Sequence, residues 1–191
     1  MKHFKTLLAA AALATTMGAQ AATGSILVSE PGEDGFNIQT GILNGSSYSI
    51  LSITFDFSSN LAEDGGTLII DGSPLSVSTP AGTTASFFGA GTSVFGFNFS
   101  GFDSFKTVTF KWDPDSTFST SYGATGLDFI NATVTAVTTG GTFSGKFEQV
   151  LGTPDVVASL SPVPEPSTWA MFACGLGVAG VVAARRRTTQ A

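Results

Sequence analysis

The chain has 191 residues and a formal net charge of −6, and an apolar stretch at each end leaves a central region of roughly 140 residues, enough for one domain with its own core. From Ala22 to Leu160 thirteen Asp and Glu residues face only Lys106, Lys111 and Lys146, a net of −10, which excludes the basic face that nucleic acid requires. The single histidine, His3, and the single cysteine, Cys174, both lie in the terminal stretches, so the central region can build no Ser-His-Asp triad, Cys-His dyad, disulfide or His/Cys zinc site from its own residues.

The N-terminus reads MKHFKTLLAAAALATTMGAQAATGS. Lys2 and Lys5 supply a positive start, Leu7 to Ala14 a short apolar core, and Ala19-Gln20-Ala21 the small-x-small pattern that signal peptidase requires. Residues 1–21 are therefore expected to be a signal peptide, with Ala22 as the first mature residue and export as the consequence.

The central region, 22–152, reads as strands and turns. LSITFDF alternates Leu51, Ile53, Phe55 and Phe57 with Ser52, Thr54 and Asp56, a period of two that puts four large apolar groups on one face. TLIID follows between glycines, from Thr67 to Asp71. VFGFNF places Phe95, Phe97 and Phe99 on one side, and KTVTFKW does the same with Val108, Phe110 and Trp112 before Asp113-Pro114-Asp115-Ser116 turns the chain. ATVTAVTTGGTFSGKF reads as two strands joined through Gly140-Gly141, the strongest hairpin signal in the chain. Nothing from Ala22 to Leu160 sustains a helical period. Short strands spaced by Gly, Asp, Asn and Ser predict an all-β fold, an antiparallel β-sandwich of two sheets with Phe side chains filling the space between them. Trp112 and Tyr122 are the aromatic residues best suited to an exposed sugar-stacking role.

Three acidic loops could carry a site: Glu30, Glu33 and Asp34 in EPGEDG, Glu63 and Asp64 in AEDGG, and Asp113 and Asp115 in DPDS. Loop carboxylates can gather around calcium, yet none of these has the spacing of a calcium loop, and acidic turn residues ordinarily bond to water or to their own backbone. Asp113 and Asp115 are kept as calcium candidates, no metal or other cofactor is assigned, and calcium is expected to change stability little. A pair of carboxylates is also all a small glycoside hydrolase needs, but their separation cannot be read from sequence.

GTPDVVASLSPVPEPS gains prolines at 154, 162, 164 and 166 and reads as a stiff linker over residues 153–167. The apolar run from Trp169 to Ala184 follows, and Arg185, Arg186 and Arg187 close it. Sixteen residues at a rise of about 1.5 Å span about 24 Å, short of a bilayer core of about 30 Å unless Ser167 and Thr168 join the helix and the arginines snorkel. A single transmembrane helix with its basic tail is expected over residues 168–191. Trp169 would sit at the outer interface, the arginines in the cytoplasm, and the domain outside. Gly175, Ala179 and Ala183 would give the helix one smooth face for another membrane helix, and Cys174 would be a small apolar filler.

The ordered set of Pro164-Glu165-Pro166, Trp169, a glycine-bearing apolar helix and Arg185 to Arg187, with a signal peptide at the other end, resembles the PEP-CTERM sorting signal of Gram-negative bacteria, here over residues 162–187. The resemblance implies recognition by exosortase, a membrane cysteine protease that cleaves near the PEP motif, after an inner-membrane-anchored intermediate. It also implies delivery to the cell surface or matrix and a link with extracellular polysaccharide and biofilm. For the central domain the expectation is a non-enzymatic surface or matrix role, with a carbohydrate- or calcium-binding module as the alternative.

Overall fold

A computed structural model describes residues 26–30 and 35–164. The expected signal peptide with Ala19, Ala21 and Ala22, the loop residues Glu33 and Asp34, and the tail from Glu165 onward lie outside the described residues.

Among the described residues twelve strands follow one another: β1 (Ile26–Glu30), β2 (Ile38–Asn44), β3 (Ile50–Asp56), β4 (Leu68–Ile70), β5 (Ser76–Ser78), β6 (Thr84–Phe88), β7 (Val94–Phe102), β8 (Thr107–Trp112), β9 (Pro114–Ser116), β10 (Thr133–Thr138), β11 (Gly141–Gln149) and β12 (Val156–Pro162). A single 3-10 turn, Gly126–Phe129, interrupts them, and there is no α-helix among the described residues. The all-β expectation holds. Ten strands form one sheet in the order β5-β8-β2-β1-β12-β11-β10-β3-β7-β6, β4 and β9 form a separate ribbon, and every pairing is antiparallel.

The sandwich of two separate sheets is corrected here to one sheet rolled nearly shut, in the manner of a barrel. Its two limbs do face each other: the rings of Phe55 and Phe110 lie 5.6 Å apart, Phe97 and Phe110 4.8 Å, and Phe95 and Trp112 4.9 Å, each pair joining β3 or β7 to β8 across the core. Strand β12 makes the limbs continuous, because it pairs with β1 on one side and β11 on the other. Residues 156–162, read from sequence as part of a linker, are thus a central strand. Val156, Ala158 and Leu160 are buried while the residues between them are not, which is the alternation that prolines 154 and 162 at its two ends obscure. At the open seam the edge strands β5 and β6 are successive in the chain and joined by residues 79–83.

Nine phenylalanines and Trp112 are among the largest fully buried side chains. Trp112 is therefore a core residue and not an exposed platform; its indole N–H donates to Thr40 Oγ1 at 2.8 Å, which satisfies the one polar atom it carries inside. The apolar face of β3 also differs from simple alternation. Ile50, Ile53 and Phe55 are buried, whereas Leu51 is 44% exposed, because the pairings of β3 with both β10 and β7 skip it. Such a bulge adds one residue to the strand and turns its neighbours over. The hairpin at Gly140 and Gly141 is as expected: Thr138 pairs with Gly141 across a two-residue turn.

Gly96 shows how closely the sheet is packed. It pairs with Thr54 of β3, and a Cβ added there would fall on the backbone carbonyl of Ile53 and meet the Phe88 ring. Backbone cannot move aside as a side chain can. Gly96→Ala is expected to lose about 1–3 kcal/mol, read as a lower denaturant midpoint with an unchanged slope.

Candidate functional site

The strand directions sort the loops onto two ends. Ile26 pairs with Leu160 and Ile26 with Asn44, so β1 begins and β12 finishes at the same end, together with the β2–β3, β7–β8 and β10–β11 turns. This is the sorting end. The β4–β9 ribbon, the 3-10 turn and the loop between β11 and β12 lie at the opposite, distal end.

At the sorting end polar groups are well partnered. The Asn44 amide donates to the carbonyls of Tyr48 at 2.8 Å and Phe102 at 3.1 Å, while its oxygen accepts from Ser46 Oγ at 2.7 Å. Lys106 pairs with Asp103 at 3.0 Å and donates to the Gly101 carbonyl at 2.6 Å. Those bonds hold Asp103 below the usual carboxylate range, the contacts to Lys106 and Ser49 acting in that order. Strand β12 ends at Pro162, Val163 still donates to the Thr142 carbonyl at 2.8 Å, and the exposed Pro164 has no N–H with which to continue. The sheet therefore stops where Pro164-Glu165-Pro166 starts. Every strand belongs to a compact unit whose last residue is Val163.

The distal end holds the acidic loops. Asp64 is committed to its own turn, accepting from the Gly66 N–H at 2.9 Å and from Ser116 Oγ at 2.7 Å, and the Glu63 N–H donates to the Tyr122 hydroxyl at 3.0 Å. Asp115 lies on strand β9 and Asp113 immediately before it, between β8 and β9, rather than both sitting in a free turn. In the β4–β9 register Ile69 faces Asp115 and Ile70 faces Pro114, and the Asp71 N–H donates to the Asp113 carbonyl at 2.8 Å, which carries the ladder one pair further. Residues alternate faces along a strand and cross-strand partners share one. Asp71, Asp113 and Asp115 consequently lie on the same face of the ribbon. Asp71 escapes a reading of the sequence, because its approach to Asp113 depends on pairing across more than forty residues.

Asp115 is the unusual member. It is 1% exposed, and neither carboxylate oxygen has a hydrogen-bond partner. Burial, then the like charges of Asp113 and Asp71, push its pKa up to about 6. A buried carboxylate left this way is costly unless a proton or a cation meets it.

A groove of about 410 Å³ lies beside the 3-10 turn, lined by Asp56, Asn60, Leu127, Asp128 and Lys146 among others. Its two carboxylates are occupied locally: Asp56 accepts from Ser58 N–H at 2.9 Å and Ser58 Oγ at 2.6 Å, and Asp128 from the Thr125 N–H at 2.8 Å and the Tyr122 hydroxyl at 3.2 Å. Tyr122 is partly buried, and desolvation, more than the neighbouring Asp128 and Glu63, raises its pKa. The strongly exposed aromatics are Phe105 at 83% and Phe118 at 74%, neither singled out from sequence.

The expected membrane helix with Trp169 and Arg185 to Arg187 lies outside the described residues, and among those residues no helix is long and apolar enough to cross a membrane. Comparison with curated proteins and with solved structures gives no match. Comparison with protein-family models does give one: residues 162–187 match the PEP-CTERM protein-sorting motif, the mark of an exported protein that passes through a membrane-anchored intermediate and is sorted by exosortase.

Proposed function

We propose that this protein is a non-enzymatic component of the cell surface or extracellular matrix of a Gram-negative bacterium, delivered there by exosortase and associated with exopolysaccharide in a biofilm. The observation that carries the reading is the sorting motif at residues 162–187 beginning where the last strand of a folded domain ends. In this account signal peptidase cuts between Ala21 and Ala22, and the helix over residues 168–191 holds the intermediate in the inner membrane. Carboxylates engaged in their own turns, and a domain without His or Cys between residues 22 and 160, favour a structural or adhesive role over hydrolysis.

The test is where the protein goes. In a host with an exosortase, the full chain is expected in the surface or matrix fraction, and a chain lacking Thr168 to Ala191 is expected as a soluble exported product. Equal distribution of the two would remove sorting from the account. The distal acidic face favours a second reading, a carbohydrate- or calcium-binding module. Glycan-array binding with and without calcium separates the two, since the matrix reading requires no calcium-dependent glycan.

A further inference from the structure

We propose that the acidic face of the β4–β9 ribbon is a calcium site built from Asp71, Asp113 and Asp115, with Asp115 as its buried anchor. Three features converge on it. The register places the three carboxylates on one face of a two-stranded ribbon, Asp71 and Asp113 directly across from each other and Asp115 two residues further along β9. Like charges so arranged repel, and such pairs weaken a ladder when nothing lies between them. The decisive feature is Asp115, buried to 1% exposure with both oxygens lacking a hydrogen-bond partner, whereas buried Asn44 at the opposite end has its amide and its oxygen engaged. Buried Thr40, Asn44, Ser46, Asn60, Thr83, Ser116 and Thr138 each bond within the fold, whereas the Asp115 carboxylate is left for a ligand from outside.

The donor set selects the ligand. It is all oxygen and anionic, with no His or Cys between residues 22 and 160, which excludes the softer metals and points to a hard cation. Calcium accepts six to eight oxygens in irregular arrangements, and backbone carbonyls and water can complete its shell; magnesium demands near-ideal octahedral geometry, which three carboxylates on one face of a ribbon do not offer. Among the described residues no three acidic groups are already drawn together tightly enough to hold an ion. Binding therefore includes an inward swing of Asp71, the exposed member. The site does not depend on the sorting motif: a protein that is sorted correctly and ignores calcium would sink this inference alone, and the reverse result would sink only the sorting account.

The experiment uses the full chain purified in detergent. Millimolar calcium over EDTA is expected to raise the melting temperature by on the order of 5–10 °C, and magnesium at the same concentration much less. Terbium is expected to bind with luminescence sensitised through Trp112, the residue before Asp113. Asp115→Asn, which keeps the shape and removes the charge, should abolish both responses and leave the calcium-free protein at least as stable as wild type. Should that variant fail to fold, Asp71→Asn decides: at an exposed position it should keep the calcium-free melting temperature and weaken calcium binding about tenfold or more. A wild-type protein indifferent to calcium and terbium would overturn the proposal and leave a proton as the partner of Asp115. Calcium stabilisation that persists in Asp115→Asn, or calcium affinity unaltered in Asp71→Asn, would overturn it as well.

Discussion

Phe55→Asp is expected to abolish folding, while Leu51→Asp, four residues earlier on the same strand, is expected to cost less than about 0.5 kcal/mol. Phe55 has no exposed surface, and its ring stacks on Phe95 at 5.3 Å and Phe147 at 6.5 Å and meets Phe110 edge-on at 5.6 Å. Truncating such a ring costs about 3–5 kcal/mol, and an ionised carboxylate without a partner adds several more, against a total stability of about 5–15 kcal/mol. Simple alternation would put Leu51 on the same inward face and make the two substitutions equally damaging. The bulge turns Leu51 to solvent instead. Circular dichroism and thermal unfolding of the two variants separate these cases: loss of the cooperative transition in both would place Leu51 in the core, and retention in both would remove Phe55 from it.

What could be read from the sequence follows from how local each determinant is. Strands β7 and β8 announce themselves because Phe95, Phe97 and Phe99, and Val108, Phe110 and Trp112, recur every second residue and are all buried. The turn at Gly140 is equally local. Strand β12 was hidden by its chemistry: Ala158 and the serines at 159 and 161 carry little hydrophobic contrast, and the prolines at 154 and 162 suggest a linker, although Pro162 is only the last residue of the strand, where a missing N–H does least harm. With β12 removed, the remaining pairings fall into two separate sheets, which is why the sequence reads as a sandwich and the chain folds as one rolled sheet. The acidic face was half visible. Asp113 and Asp115 are neighbours in the chain, but their burial and the arrival of Asp71 depend on the pairing of β4 with β9. The sorting motif needed no fold at all, since a short linear signal read in an extended form carries its information in the order of its residues.

That independence gives the second large effect. Changing Pro164, Glu165 and Pro166 together to alanine is expected to leave export and membrane insertion intact, because the expected signal peptide and the apolar tail are untouched, and yet to stop processing and hold the chain, C-terminus uncut, in the inner membrane. Pro164 is exposed and lies directly after Val163, whose N–H bonds to the Thr142 carbonyl, so its substitution removes no buried side chain of the described domain, and the melting temperature is expected to be unchanged. Proline fixes its own backbone angle and biases the residue before it toward an extended form, so the motif is expected to be stiff and accessible, and three alanines would release that restraint while removing the charge. The expected helix and Arg185 to Arg187 would set the height of the motif above the membrane, a separate task that deletion of Thr168 to Ala191 would abolish. Recognition and retention are therefore separable: the alanine variant should accumulate uncut and anchored, the truncated chain uncut and free. Fractionation with mass spectrometry of the C-terminus distinguishes the three products in a host that has an exosortase. An alanine variant trimmed and delivered like wild type would make Pro164-Glu165-Pro166 incidental and reduce the tail to a short membrane anchor.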